Sequence, residues 1–188
     1  MGVAIIHPGS GNITSLGDAL ARLGQPFSVV KTPQDVSADV LFLPGQGRFG
    51  TVAQFLWDQG WQPFLQDWLA QGKRLVGICV GMQVLFEGSE EDPTVPGLGF
   101  FTGILEKLSG ITPMMGWAQV EWLQAGWPKG AGYFVNSFVM RQSAFALGRT
   151  QYDRTFCSAV QKESCLAFQF HPEKSGAFGA EVLKKCLD

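Results

Sequence analysis

Histidine and tyrosine are scarce in these 188 residues, with two of each, and only 16% of the chain is charged. Two histidines, His7 and His171, cannot supply a histidine-based metal centre. The four cysteines, at 79, 157, 165 and 186, show no CxxC spacing and have no histidine companions at metal-ligand distance along the chain. Neither a zinc site nor a disulfide framework is therefore expected, and the thiols should be reduced. No cluster of basic residues appears, and a net charge of −2 leaves no electrostatic footprint for nucleic acid or an anionic membrane. Nor is there a long apolar run. The start, Met1-Gly2-Val3-Ala4-Ile5-Ile6-His7-Pro8, lacks a positive leader and breaks too soon for a signal peptide or membrane span, which implies a cytoplasmic protein. Repeats and low-complexity segments are also missing.

What is present is a well-cored chain, 46% hydrophobic with six tryptophans, of a length that suits one domain, residues 1–188. The apolar share also allows for a surface covered by a partner. Short apolar runs at Val3 to Ile6, Phe27 to Val30, Asp39 to Leu43 and Arg74 to Ile78 alternate with stretches at helical spacing, the first of them capped by Asn12 and carrying Ile13, Leu16, Leu20 and Leu23. Residues 49–69 predict two helices broken at Gly60, with Pro63 in the first turn of the second. Their aromatics Phe55, Trp57, Trp61, Phe64 and Trp68 read as packing. The fold expected is α/β: an open, mostly parallel sheet with helices on both faces. Strands at 100–108, 118–122, 132–140 and 164–170 suggest an antiparallel extension, and residues 177–187 a closing helix.

The chemistry gathers at Gly77-Ile78-Cys79-Val80-Gly81-Met82-Gln83. An apolar strand ends at a cysteine between glycines, and Val84-Leu85-Phe86 continues a helical pattern. A nucleophile on such an elbow stands clear of its own backbone, its thiolate favoured by the helix N-terminus, with the N–H of Val80 as an oxyanion donor. The competing reading is a small buried cysteine in a tight turn. A base decides between them. His171 lies in Phe168-Gln169-Phe170-His171-Pro172-Glu173-Lys174-Ser175, where proline biases it to an extended backbone and Glu173, two residues on, can share its face and orient the ring. Cys79, His171 and Glu173 thus form a nucleophile, base and orienter set. His7 reads as a loop residue. Pro44-Gly45-Gln46-Gly47 follows the third strand, where the glycines let a backbone N–H approach a ligand, so Gly45, Gln46 and Gly47 form the second side of the oxyanion hole. The acidic run Glu87 to Asp92 reads as a loop, with Glu90 and Asp92 solvated.

These motifs resemble the class I glutamine amidotransferase family, in the cysteine elbow and the His-Pro-Glu. Within it the chain is similar to the glutaminase subunits of imidazole glycerol phosphate synthase, by Gly11-Asn12, Pro44 to Gly50, Met115-Gly116-Trp117, Tyr133-Phe134-Val135 and Phe168 to Ser175. The matches run in order over nearly the whole chain. The resemblance implies hydrolysis of L-glutamine to glutamate and ammonia without a cofactor. It further implies delivery of the ammonia to a (β/α)8-barrel cyclase partner, making imidazole glycerol phosphate and an aminoimidazole ribotide in histidine biosynthesis. It places substrate contacts at Gly47, Gln83, Glu91 and Ser137, and partner contacts at Asn12 and Lys174. Departures from the family's pattern occur at Gln46, Ala118, Asn136 and Phe138. Two other functions fit the motifs: a glutaminase subunit serving pyridoxal phosphate or anthranilate synthesis, and a catalytically silent binding subunit.

Overall fold

The computed structural model describes residues 2–9 and 13–188; Asn12, expected as a helix cap and partner contact, lies outside the described residues. The strands are β1 (Val3–Ile6), β2 (Ser28–Val30), β3 (Val40–Gly45), β4 (Arg74–Cys79), β5 (Gly88–Ser89), β6 (Ile104–Lys107), β7 (Met114–Trp122), β8 (Gly130–Asn136), β9 (Phe138–Val139), β10 (Ala146–Gln151), β11 (Thr155–Lys162) and β12 (Cys165–Phe168). The helices are α1 (Ile13–Arg22), α2 (Phe49–Asp58), α3 (Trp61–Ala70), the single turn α4 (Val80–Gln83) and α5 (Gly176–Leu187). Nine strands make the main sheet in the order β2-β1-β3-β4-β12-β11-β10-β7-β8, and β5, β6 and β9 form a small second sheet.

The first five strands of that order are parallel and the rest antiparallel. Sequence sets this division. Leu41, Phe42, Leu43, Leu75 and Val76 are fully buried, as strands covered on both faces require, whereas β7 alternates buried and exposed positions. The flanking helices insert Leu16 and Leu20, Val52 and Leu56, Leu65 and Trp68, and Val182 and Leu183 into one continuous core. Trp61 and Trp68 are buried as expected, while Trp57 stays 38% exposed with its indole N–H on the Pro96 carbonyl. Among the described residues no helix is long and apolar enough to cross a membrane.

Four expectations need correction. The 164–170 strand does not join an antiparallel layer on both sides: β12 runs parallel to β4 and antiparallel to β11, and so is the seam of the sheet. Strands β10 and β11 had no clear alternation in the sequence and were not anticipated. The elbow helix stops after one turn, because the carbonyls that would continue it bond a following loop instead: Leu98 N–H donates to Val84 O at 2.7 Å and Phe101 N–H to Leu85 O at 3.0 Å. Finally, the acidic loop is not merely solvated. Glu90 is exposed as expected, though it accepts from Lys107 N–H at 2.8 Å, and Glu87 accepts from Gly103 N–H at 2.6 Å; Asp92 departs from the expectation, being only 19% exposed.

The elbow itself is held by close backbone contact. A Cβ on Gly81 would stand 1.8 Å from the Leu43 carbonyl oxygen, and one on Gly45 would stand 2.5 Å from the Gly81 nitrogen. Only glycine lets β3 lie directly against the turn after Cys79. Gly81→Ala should therefore destabilise the chain by about 3 kcal/mol or more, read as a fall in the urea midpoint. An unchanged midpoint would show that the two backbones are free to part.

Candidate active site

Cys79 closes β4 with φ 55° and ψ −116°, one of two non-glycine residues with positive φ among those described. Such a conformation is strained in a side-chain-bearing residue and persists only where the surroundings impose it. Here they do, since Cys79 is in register with Gly45 of β3 on one side and β12 flanks β4 on the other. Val80, whose N–H opens the turn and so lacks an intrahelical acceptor, follows directly. With only four residues in α4, oriented N–H groups rather than a long helix dipole provide the positive field at the sulfur.

Phe168 of β12 pairs with Ile78 of β4, so His171, three residues further, emerges at the same sheet edge as Cys79. The imidazole lies beside the Cys79 side chain, close enough to feel its charge, and its Nδ1 lies 2.8 Å from Glu173 Oε1. With Nδ1 on the carboxylate, Nε2 is the nitrogen left for the sulfur. Glu173 reaches the ring by a different route from the extended one expected. His171 is extended, but Pro172–Lys174 fold back as a 3-10 turn, with Lys174 N–H donating to His171 O at 3.0 Å. The two side chains are 5% and 4% exposed. Burial, the largest influence, pulls the His171 pKa down, but its interactions with Cys79 and Glu173 outweigh it and push it up to about 10. The histidine backbone is pinned too: its N–H donates to Tyr133 O at 2.8 Å, and Ser175 Oγ–H donates to His171 O at 2.6 Å while accepting from Tyr133 N–H at 2.9 Å.

The sulfur has two further neighbours. Val135 O and Gln169 Nε2 both lie 3.9 Å from Sγ. Gln169 went unrecognised in the sequence; its signal was a glutamine within the apolar run Ala167 to Phe170, at a position that proves fully buried. Gln83 is also buried, and its NH2 donates to Phe138 O and Gln169 Oε1, each at 3.1 Å.

Gly47, at φ +86°, and Gln46 form the loop between β3 and α2 beside the elbow. That loop is anchored from the acidic segment. Glu91 Oε2 accepts the Phe49 N–H and Asp92 Oδ2 the Gly50 N–H, both at 2.8 Å, so two carboxylates cap the start of α2. Arg48 closes the clamp on Asp92 Oδ1, and its guanidinium holds that carboxyl below the ordinary carboxylate range. Glu91 thus stands at the loop, as a substrate contact would require, although one of its oxygens already serves the backbone. Ser137 links β8 to β9, its carbonyl accepting from Leu108 N–H at 2.8 Å. Lys174 is half-buried at the end of the 3-10 turn. Asn136, a departure from the family's pattern, donates to the Phe138 carbonyl at 3.3 Å.

No protein-family model matches the chain. Named relatives do: an imidazole glycerol phosphate synthase subunit HisH from Thermus thermophilus is 41% identical over 97% of this chain and 95% of its own. The subunits of the same name from Shouchella clausii and Thermotoga maritima are each 38% identical, covering 97% and 100% of this chain and 96% and 97% of theirs. Among solved structures, a glutamine amidotransferase superposes with TM-score 0.82 at 22% identity over 99% of this chain and 97% of that one, and PurLQS of Thermotoga maritima with TM-score 0.79 at 16% identity over 98% and 96%. These distant likenesses speak for the fold, and the curated relatives for the family. The chain belongs to the HisH family, the glutaminase subunits of imidazole glycerol phosphate synthase.

Proposed function

We propose that Cys79, His171 and Glu173 are the catalytic triad of this glutaminase, and that the chain works as one amidotransferase domain. The observation that carries the reading is the imidazole held between the Cys79 sulfur and the Glu173 carboxylate, 2.8 Å from Nδ1, at the sheet edge where β4 and β12 both end. The thiolate attacks the side-chain amide carbon of L-glutamine, and the carbonyl electrons move to oxygen. N–H groups of Val80 and of the Gly45-Gln46-Gly47 loop receive that charge. His171 gives its proton to the amide nitrogen, ammonia leaves, and a thioester remains on Cys79. His171 then takes a proton from water, which attacks the thioester, releases glutamate and restores the thiolate. Gly47, Gln83, Glu91 and Ser137 surround the substrate in this reading, with Glu91 facing its α-ammonium.

Ammonia released into bulk water would largely become ammonium, which is not a nucleophile. A partner must therefore take it directly, and we assign that role to a (β/α)8-barrel cyclase subunit docked at the mouth of the site in the cytoplasm. Support comes from the exposed Met115 and Trp117 of β7, each 67% exposed, with Trp117 packed edge-on against Tyr133, the residue that bonds the His171 backbone. Lys174, next to Glu173, belongs to the same docking face in this reading.

Three measurements test the reading. Cys79→Ala should abolish glutamate release while ammonia-dependent synthesis by the assembled enzyme continues; glutamate release at the unsubstituted rate would remove Cys79 from the chemistry. Glu173→Gln should lower turnover about a hundredfold or more and let the His171 pKa fall from its raised value. The sign follows from that elevation: the imidazolium and the stability it contributes are present below the unfolded histidine pKa of about 6.5 and are lost as pH rises through about 10. In the variant, loss should begin at lower pH, followed by NMR of a chain with only two histidines. An unmoved titration would dissolve the pair. Asp92→Ala should loosen the start of α2 and the glycine loop before it, cutting kcat/KM about tenfold; full activity would make the Arg48–Asp92 clamp a surface detail.

A further inference from the structure

The buried amides around the nucleophile have a direction that can be read from one end. The Phe138 carbonyl can only accept, so the Gln83 carboxamide must present its NH2 there, at 3.1 Å. The same NH2 lies 3.1 Å from the Gln169 side-chain oxygen. With its oxygen committed to Gln83, Gln169 must turn its own NH2 to the Cys79 sulfur, 3.9 Å away. Gln83, Gln169 and Cys79 are 3%, 0% and 4% exposed, so water does not compete for these groups. A donor fixed in this way interacts more strongly with a thiolate than with a thiol. The carbonyl of Val135, also 3.9 Å from the sulfur, has the opposite preference, because it can only accept from S–H.

We infer that Gln169 is a positioning residue of the glutaminase reaction, held by Gln83 against the Phe138 carbonyl so that its NH2 steadies the Cys79 sulfur as the thiolate. The inference rests on the reading of Cys79 as the nucleophile, and it gives Gln83 a second task. Both hydrogens of its NH2 are used in the relay, which leaves its carbonyl oxygen for a substrate. It also makes segment 136–138 part of the site, since Asn136 donates to the same Phe138 carbonyl at 3.3 Å and the main chain there sets where the relay begins.

The test compares Gln169→Leu, Gln83→Leu and the double variant in the assembled enzyme. Alkylation of Cys79 by iodoacetamide is followed against pH with peptide mass spectrometry, beside kcat and KM for glutamine. Cys165 and Cys186 are buried with pKa values pushed up to about 12 and will not confuse the signal. In Gln169→Leu the alkylation midpoint should rise by about one pH unit and kcat should fall about tenfold, with KM within about twofold. Gln83→Leu should move the midpoint the same way, and the double variant should be little worse than Gln169→Leu, because the two residues act in series. Should the fully buried Gln169 substitution fail to fold, the Gln83→Leu midpoint decides alone. Unmoved midpoints would reduce both residues to packing, and additive shifts would break the relay. A Cys79→Ala variant that kept its glutaminase activity would instead overturn the nucleophile assignment, whatever the alkylation result.

Discussion

The parallel pairing of β4 with β12 is the constraint on which the site depends. Cys79 and His171 are far apart in sequence, and each comes from a strand that would be inert alone. Pairing Phe168 with Ile78 brings both strand ends to one edge of the sheet, so that Cys79 and His171 converge without any long loop having to be ordered. Had β12 run antiparallel to β4, His171 would have emerged at the opposite edge. The same pairing makes β12 the hinge between the parallel and antiparallel parts of the sheet, with β11 on its other side. The antiparallel strands therefore do more than extend the sheet: β8 bonds the His171 backbone through Tyr133, and its Val135 carbonyl reaches the sulfur.

A second constraint is the tolerance for close backbone approach. The turn after Cys79 sits so near β3 that a methyl group on Gly81 or Gly45 would overlap main-chain atoms. That contact supports the positive φ of Cys79 and brings Gly45 alongside Cys79 and Val80. Strain at Cys79 is thus stored against a rigid sheet rather than relaxed by it. The capping carboxylates of Glu91 and Asp92 complete the arrangement, because they fix the far end of the same glycine loop.

Much of this was legible in the residues. Apolar runs with helical stretches between them gave the parallel half, and the elbow and His-Pro-Glu are local patterns whose chemistry follows from a few neighbouring residues. Other features escaped because they exist only between distant segments. The Arg48–Asp92 clamp joins residues 44 apart, and the Gln83–Gln169 and Gln169–Cys79 contacts join residues 86 and 90 apart. No window on the sequence contains both partners. The shortness of α4 had the same origin, since a loop at 97–101 claims its last carbonyls. Conversely, Glu173 reaches the His171 ring by another route than the extended chain expected, because a 3-10 turn delivers it. The alternatives of a pyridoxal phosphate or anthranilate subunit were open on the motifs alone, and the HisH relatives close them.

The central claim is that the sulfur of Cys79 carries the glutamyl group between the two half-reactions. Acid-quenching the assembled enzyme during turnover with L-glutamine, then mapping peptides by mass spectrometry, tests it directly. A glutamyl thioester on the peptide containing Cys79, appearing before steady-state glutamate release and absent when glutamine is omitted, is the predicted result. Glutamate formed at full rate with no adduct, or with the adduct on another residue, would contradict it.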